Sequence, residues 1–213
     1  FEVGEFVRGG RTDIKGIKVG DLAVTGRIEK KAPGGQAGFS FYTGNSTGGR
    51  INQGGNVTMI VADYKTKRGA FDVDLGVTKT WIEDTKEINA ACGDGTNSSC
   101  SDVPQSLFGL LGTFAVHVPE LMGNKTTHDV IAYVQYQKLR PYDKMEEGGL
   151  GAANHAKNYD VLAFGAAYMP HPKVSLKATY GINYYDGEKG TNINPGKPGT
   201  TKSYFDLALG YQY

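Results

Sequence analysis

Strict two-residue alternation near the C-terminal end of the chain is the feature that most restricts its fold. Val174, Leu176, Ala178, Tyr180, Ile182 and Tyr184 fall on one side of an extended chain, and Ser175, Lys177, Thr179, Gly181 and Asn183 on the other. A period of two means a β-strand with one apolar and one polar face, because successive side chains of a strand point to opposite sides. The last segment repeats the pattern, with Phe205, Leu207, Leu209, Tyr211 and Tyr213 set against Asp206, Ala208, Gly210 and Gln212. Phe71 to Thr78, Val130 to Gln137 and Leu162 to Tyr168 alternate in the same way. Phe108, Leu110, Phe114, Val116 and Val118 share a face with Gly112.

The N-terminal half alternates less cleanly. Leu22, Val24 and Ile28 stand opposite Ala23, Thr25, Arg27 and Glu29, and Ala37, Phe39 and Phe41 form a short strand. Over residues 56–66, Val57-Met59-Val61 and Ile60-Ala62-Tyr64 compete for the apolar face, so the register stays open. Residues 1–8 are expected to add a strand. About ten strands result, many of them longer than the five or six residues usual in globular sheets and matched to the roughly 9–11 that cross a bilayer on a tilt.

The connections alternate too. Residues 45–55, 84–105, 140–157 and 187–201 are long, whereas 31–35, 67–69, 120–127 and 169–172 are shorter. In an up-and-down antiparallel chain every second connection lies at the same end, so the long loops gather at one end and the short turns at the other. Outer-membrane barrels show this asymmetry. No linker or composition shift divides residues 1–213, and a single domain is expected.

Composition narrows the class. Glycine supplies 31 of the 213 residues, about twice the usual share of about 7%, which disfavours a helical bundle, where each interior glycine costs about 1 kcal/mol. No apolar run approaches the roughly 20 residues of a membrane helix, the longest candidate being Val161 to Met169. The 23 basic and 22 acidic residues nearly cancel, which argues against a nucleic-acid partner and against a strongly ion-selective pore. The mean hydropathy of −0.38 suits a chain that is apolar on alternate residues only.

The residues resemble Gram-negative outer-membrane porins, and the similarity is closest over Phe205-Asp206-Leu207-Ala208-Leu209-Gly210-Tyr211-Gln212-Tyr213. That segment looks like the C-terminal signal read by the barrel-assembly machinery, with Tyr213 where the family more often has Phe. The hairpin from Leu162 to Tyr185 is also porin-like. The resemblance covers about the last 60 residues. It implies an all-β, antiparallel up-and-down transmembrane β-barrel in a bacterial outer membrane, with long loops external, bathed by lipid and passing small polar solutes or ions. About ten strands fall short of the 16–18 of diffusion porins, so the chain is either part of a larger barrel or a small one. A small closed barrel would serve as an adhesin or structural anchor through its loops, and a homo-oligomer is compatible with either. A soluble ligand-binding barrel or sandwich is the remaining alternative.

Arg27, Glu29, Asp72, Asp74, Lys177 and Asp206 fall on the polar face and are the candidate pore-lining residues. Trp81, Tyr168, Tyr184, Tyr185, Tyr211 and Tyr213 lie near strand ends, where an aromatic girdle would sit. Gly76, Gly165, Gly181 and Gly210 leave room on the inward face. Cys92 and Cys100 are spaced neither as C-x-x-C nor beside a histidine cluster, which disfavours zinc; they read as a disulfide in an oxidising compartment or as two unpaired thiols. His117 and His128 are placed to approach one another across a hairpin near the short-turn end, while His155 and His171 fall in connections. No nucleophile elbow, H-E-x-x-H or phosphate loop occurs, and neither an enzyme nor a cofactor is expected. N-x-[ST] sequons begin at Asn45, Asn56, Asn97 and Asn124 and are silent in a bacterial protein.

Overall fold

Nine strands carry the alternation in the computed structural model, which describes residues 23–32, 34–45, 55–92, 103–124, 128–145, 158–186 and 201–211. They are β1 (Ala23–Ala32), β2 (Gly35–Asn45), β3 (Asn56–Arg68), β4 (Phe71–Ile82), β5 (Ser106–His117), β6 (Asp129–Lys144), β7 (Tyr159–His171), β8 (Val174–Tyr185) and β9 (Thr201–Tyr211). Two short helices interrupt them, α1 (Thr85–Cys92) and α2 (Val118–Leu121). The spatial order is the sequence order, β1 to β9, and every neighbouring pair is antiparallel. The up-and-down all-β architecture expected from the alternation is therefore present. A closed barrel is not: among the described residues β1 and β9 each pair on one side only. The expected tenth strand, residues 1–8, lies outside the described residues.

Register fixes the faces, because residues paired across antiparallel strands point the same way. One row runs Ile28, Phe39, Ala62, Val77, Leu110, and the adjacent row runs Arg27, Ser40, Val61, Thr78, Gly109. The open choice in β3 is thereby resolved: Ile60, Ala62 and Tyr64 join the apolar face, opposite Phe41, Phe39 and Ala37. Among the described strands, the large apolar residues that stay well exposed all sit on this face except Met59. On the other face Ala115, Val161 and Ala163 are buried. Folding has thus left the apolar side of the sheet uncovered and has closed over parts of its polar side, the reverse of a soluble sheet.

The chain turns through residues 33–34, 69–70, 118–128 and 172–173 at one end of the sheet, and through 46–55, 83–105, 145–158 and 186–200 at the other. Left-handed glycines shape two of the tight turns, Gly34 (φ 75°) and Gly69 (φ 54°). Connection 118–128 is no shorter than 46–55, so the length asymmetry holds for three of the four turns. The fourth folds partly into α2, and Val118 begins that helix instead of ending β5 as the alternation suggested. The long connection after β4 likewise is not all loop, since Thr85–Cys92 is helical.

Candidate functional site

The polar face is the candidate site. Arg27, Glu29, Asp72, Asp74, Lys177 and Asp206 all lie on it. The fold gathers the first four into networks that also hold residues the alternation alone did not single out. Arg27 on β1 donates to both carboxylate oxygens of Asp63 on β3 (2.9 and 3.0 Å), to Glu29 (2.6 Å) and to Ser40 (2.8 Å). Glu29 also accepts from Gln36 (2.6 Å). Asp74 pairs with Lys65 at 3.2 Å. These groups stand on one strip, β1 to β4, where an Arg fork against a carboxylate has the planar fit that makes such pairs directional.

Asp72 belongs to a second network at the turn end. His117 meets Asp129 through Nδ1 (2.5 Å) and Asp72 through Nε2 (2.9 Å), while the Lys67 ammonium lies 3.1 Å from Nε2. Four successive strands, β3 to β6, contribute one member each. His128 does not join His117. Its Nδ1 lies 2.9 Å from the Pro170 carbonyl oxygen and its ring sits beside Tyr168. The hairpin does bring residues 117 and 129 together, and the carboxylate of Asp129 takes the place foreseen for the second histidine.

Lys177 and Asp206 stand on a different part of the face, among tyrosines. Lys177 places its ammonium 4.7 Å from the centre of the Tyr133 ring. The Tyr133 ring lies over Gly165, and its hydroxyl meets Thr179 Oγ1 at 2.5 Å; Tyr204 lies over Gly181. A Cβ at either glycine would collide with the ring. Gly165 and Gly181 therefore seat tyrosine rings instead of leaving open room, and Gly210 lies against Ser175. Tyr159 and Tyr185 add a pair with ring centres 5.4 Å apart. The polar face is thus divided between a charged strip on β1 to β4 and a tyrosine-covered strip on β6 to β9.

The expected girdle residues divide between the faces. Trp81 and Tyr184 lie on the apolar face toward the long loops; Tyr168 and Tyr211 lie on it toward the turns, where Phe71 and Phe114 stack at 5.7 Å. Tyr185 points to the polar face with Tyr159, one step out of phase with Tyr184, and Tyr213 lies outside the described residues. Charged groups also stand on the apolar side, Lys30 and Arg68 toward the turns and a cluster near the loop end. There Lys79 contacts Asp143, which accepts from Ser106 (2.7 Å), and Arg140 pairs with Asp160 (2.7 Å) and Asp186 (3.1 Å). Cys92 closes α1, but Cys100 lies outside the described residues, and so does any bond between them. Among the described residues no cluster of His, Cys, Asp and Glu is arranged to hold a metal ion, and no helix is long and apolar enough to cross a membrane. No protein-family model, curated protein or solved structure matches the chain.

Proposed function

We propose that this sheet is the wall of a transmembrane β-barrel of a bacterial outer membrane, and that the barrel is a passive channel for small polar solutes or ions. One observation carries the reading: apart from Met59, the large exposed apolar side chains of the described strands share a single face, opposite a face that holds the ion pairs of β1 to β4. In water that apolar surface would be an aggregation site, far beyond the few hundred Å² usual on a monomer. In a bilayer it is the surface that lipid wets, and the polar face borders water.

The height fits. Phe71 and Trp81 stand ten residues apart on the apolar face of β4, as do Val174 and Tyr184 on β8. At about 3.4 Å per residue and a tilt of about 40°, each pair spans about 26 Å along the membrane normal, close to the roughly 25 Å apolar band of outer-membrane barrels. Aromatic residues mark both borders, and the Lys79, Asp143, Arg140 and Asp160 groups fall at the loop-end border, where headgroups and water can solvate them. The long loops face outward in this reading, and β9 is the strand that the assembly machinery would recognise.

The full-length protein in planar bilayers tests it. Discrete current steps are expected. A protein that inserts and resists extraction but never conducts would be a closed barrel acting as an anchor or adhesin through its loops. A chain that stays monodisperse in water without detergent would overturn the membrane reading itself.

A further inference from the structure

At His117 two incompatible partners meet one ring nitrogen. Nε2 stands 2.9 Å from Asp72 Oδ2, a carboxylate oxygen that accepts, and 3.1 Å from the Lys67 ammonium, which only donates. A ring nitrogen either carries a hydrogen and donates, or is bare and accepts. It therefore serves one of these neighbours at a time. Nδ1 has no such conflict. It faces Asp129 Oδ2 at 2.5 Å and donates there in either charge state, which fixes the neutral ring as the tautomer with Nε2 bare.

The surroundings hold the ring in place and leave the choice of partner to a proton. The His117 side chain is buried, while those of Asp72 and Asp129 are partly open to water. The His117 N–H donates to the Ala70 carbonyl (2.8 Å), which ties the end of β5 to the turn between β3 and β4. His117 follows Val116, the partner of Phe71, so it sits at the turn-end border of the apolar band. Lys67 is exposed and stands opposite Asp72 in register. Asp72 Oδ1 is buried and has no hydrogen bond among the described residues. Of the other charges nearby, Lys65 and Asp74 are engaged with each other. Glu120 belongs to α2, which packs on β5 and β6, and is exposed.

We infer that His117 is a proton-operated selector at the turn end, joining Asp72 to Asp129 when charged and exchanging Asp72 for Lys67 when neutral. The exchange is a single proton transfer. The Nε2–H proton leaves to water, the electron pair stays on nitrogen, and the Lys67 ammonium donates to it. In the charged form the ring links β4, β5 and β6, and Lys67 turns to solvent. In the neutral form it links β3, β5 and β6, and Asp72 is released to water. Two cations face two carboxylates in the charged form, and one negative charge is left over in the neutral form. Histidine is the side chain whose ordinary titration lies near neutrality, so a modest change of pH drives the exchange. The exchange itself needs no membrane. Its consequence for conduction rests on the channel reading: an added negative charge on the polar face near the turn-side mouth favours cations at higher pH.

Nitrogen NMR of the full-length protein, labelled at histidine and embedded in lipid, tests the exchange. The His117 signals are those lost in His117→Gln and kept in His128→Gln; should His117→Gln fail to insert, Asp129→Asn marks the same ring through Nδ1. Below the midpoint of the titration both ring nitrogens are expected to carry hydrogen, and above it Nδ1 alone. Asp72→Asn is expected to alter the Nε2 signal of the charged ring and to lower the midpoint by about one pH unit, the order expected for a contacting charge. Lys67→Met is expected to alter the Nε2 signal of the neutral ring and to raise the midpoint by a similar amount. A hydrogen on Nε2 above the midpoint, or substitutions that affect both forms alike, would overturn the exchange. In planar bilayers, raising the pH through the midpoint is expected to move the reversal potential toward cation preference in the unmodified protein, at the higher midpoint in Lys67→Met, and not in His117→Gln. A shift of equal size and position in all three would overturn the regulation. A protein that inserts but never conducts would overturn the channel reading, and the ring signals would still decide the exchange.

Discussion

Arg27 on β1 reaches Asp63 on β3 across the intervening strand, and it can do so because residue 38 of β2, lying beneath the pair, is glycine. A Cβ there would stand 2.7 and 2.8 Å from the two Asp63 carboxylate oxygens and would also collide with the Arg27 guanidinium. Gly38→Ala is therefore expected to part the fork and free both charges. If the polar face lines a channel, Arg27→Ala leaves Asp63 and Glu29 uncompensated and shifts the reversal potential in a salt gradient toward cation preference. Asp63→Asn shifts it toward anions, and Gly38→Ala moves it less than either because both charges remain. Identical reversal potentials in all three variants would remove this pair from the permeation path.

The two faces of β4 predict opposite responses to the same substitution. Leu75 stands mid-strand on the apolar face and Thr78 on the polar face. Leu75→Arg is expected to destabilise the folded, lipid-embedded state by about 2–4 kcal/mol, the range for arginine near a bilayer midplane. If the polar face borders water, Thr78→Arg is expected to change stability by less than about 1 kcal/mol. Urea titration of the protein in lipid vesicles measures both. Equal penalties would mean that the apolar face does not meet lipid.

Much of this amphipathic pattern was legible in the sequence, because a sheet with one apolar and one polar face must alternate. β3 was the exception, since Val57, Met59 and Val61 are as apolar as Ile60, Ala62 and Tyr64. A signal was nevertheless present: Asp63, Lys65 and Lys67 continue the parity of Val57, and three charges on one face assign it to the polar side. The networks were not legible. Arg27 and Asp63 are 36 residues apart, and His117 and Asp72 are 45. Each pair is created by register across strands that the sequence places only to within a residue or two, and a slip of one residue would send a partner to the opposite face. Tyr185 shows the same sensitivity, since adjacent tyrosines 184 and 185 cannot both lie on the apolar face.

Tyr133 and Gly165 form a lock that can be opened from either side. Tyr133→Phe removes the hydroxyl bonded to Thr179 and is expected to cost about 0.5–1.5 kcal/mol. Gly165→Val keeps that hydroxyl but places atoms where the ring lies, and should cost more. The double variant Tyr133→Ala, Gly165→Val should then be less destabilised than the sum of its parts. Strict additivity in a double-mutant cycle would show that the ring does not depend on the glycine beneath it.

The loop carrying the two cysteines yields a chemical prediction. An outer-membrane protein with its long loops outward meets an oxidising compartment, where nearby thiols pair. Digestion of the protein under non-reducing conditions is expected to give one peptide species containing both Cys92 and Cys100, separated by reduction. Full alkylation of both thiols without prior reduction would show that they are free.

At the loop end, buried Asn158 acts as a piece of strand backbone. Its side-chain oxygen accepts from the Tyr142 N–H (2.9 Å), its amide donates to the Tyr142 carbonyl (3.0 Å), and its own carbonyl accepts from the Asp186 N–H (2.8 Å). Asn89 does the same for Val103 beyond α1, with bonds of 2.8 and 3.0 Å. Asn158→Ala leaves a buried donor and a buried acceptor of Tyr142 without these partners, at about 1–3 kcal/mol for each unsatisfied group. Asn158→Asp restores the acceptor but turns a carboxylate oxygen toward the Tyr142 carbonyl, so it should not rescue. Because the strands below are held by their own ladders, the damage should stay local. Amide exchange is expected to quicken at Tyr142 and Asp186 and to remain slow at Val134 and Phe164. Uniform acceleration across β6 and β7 would instead make Asn158 part of the cooperative unit that holds the whole sheet.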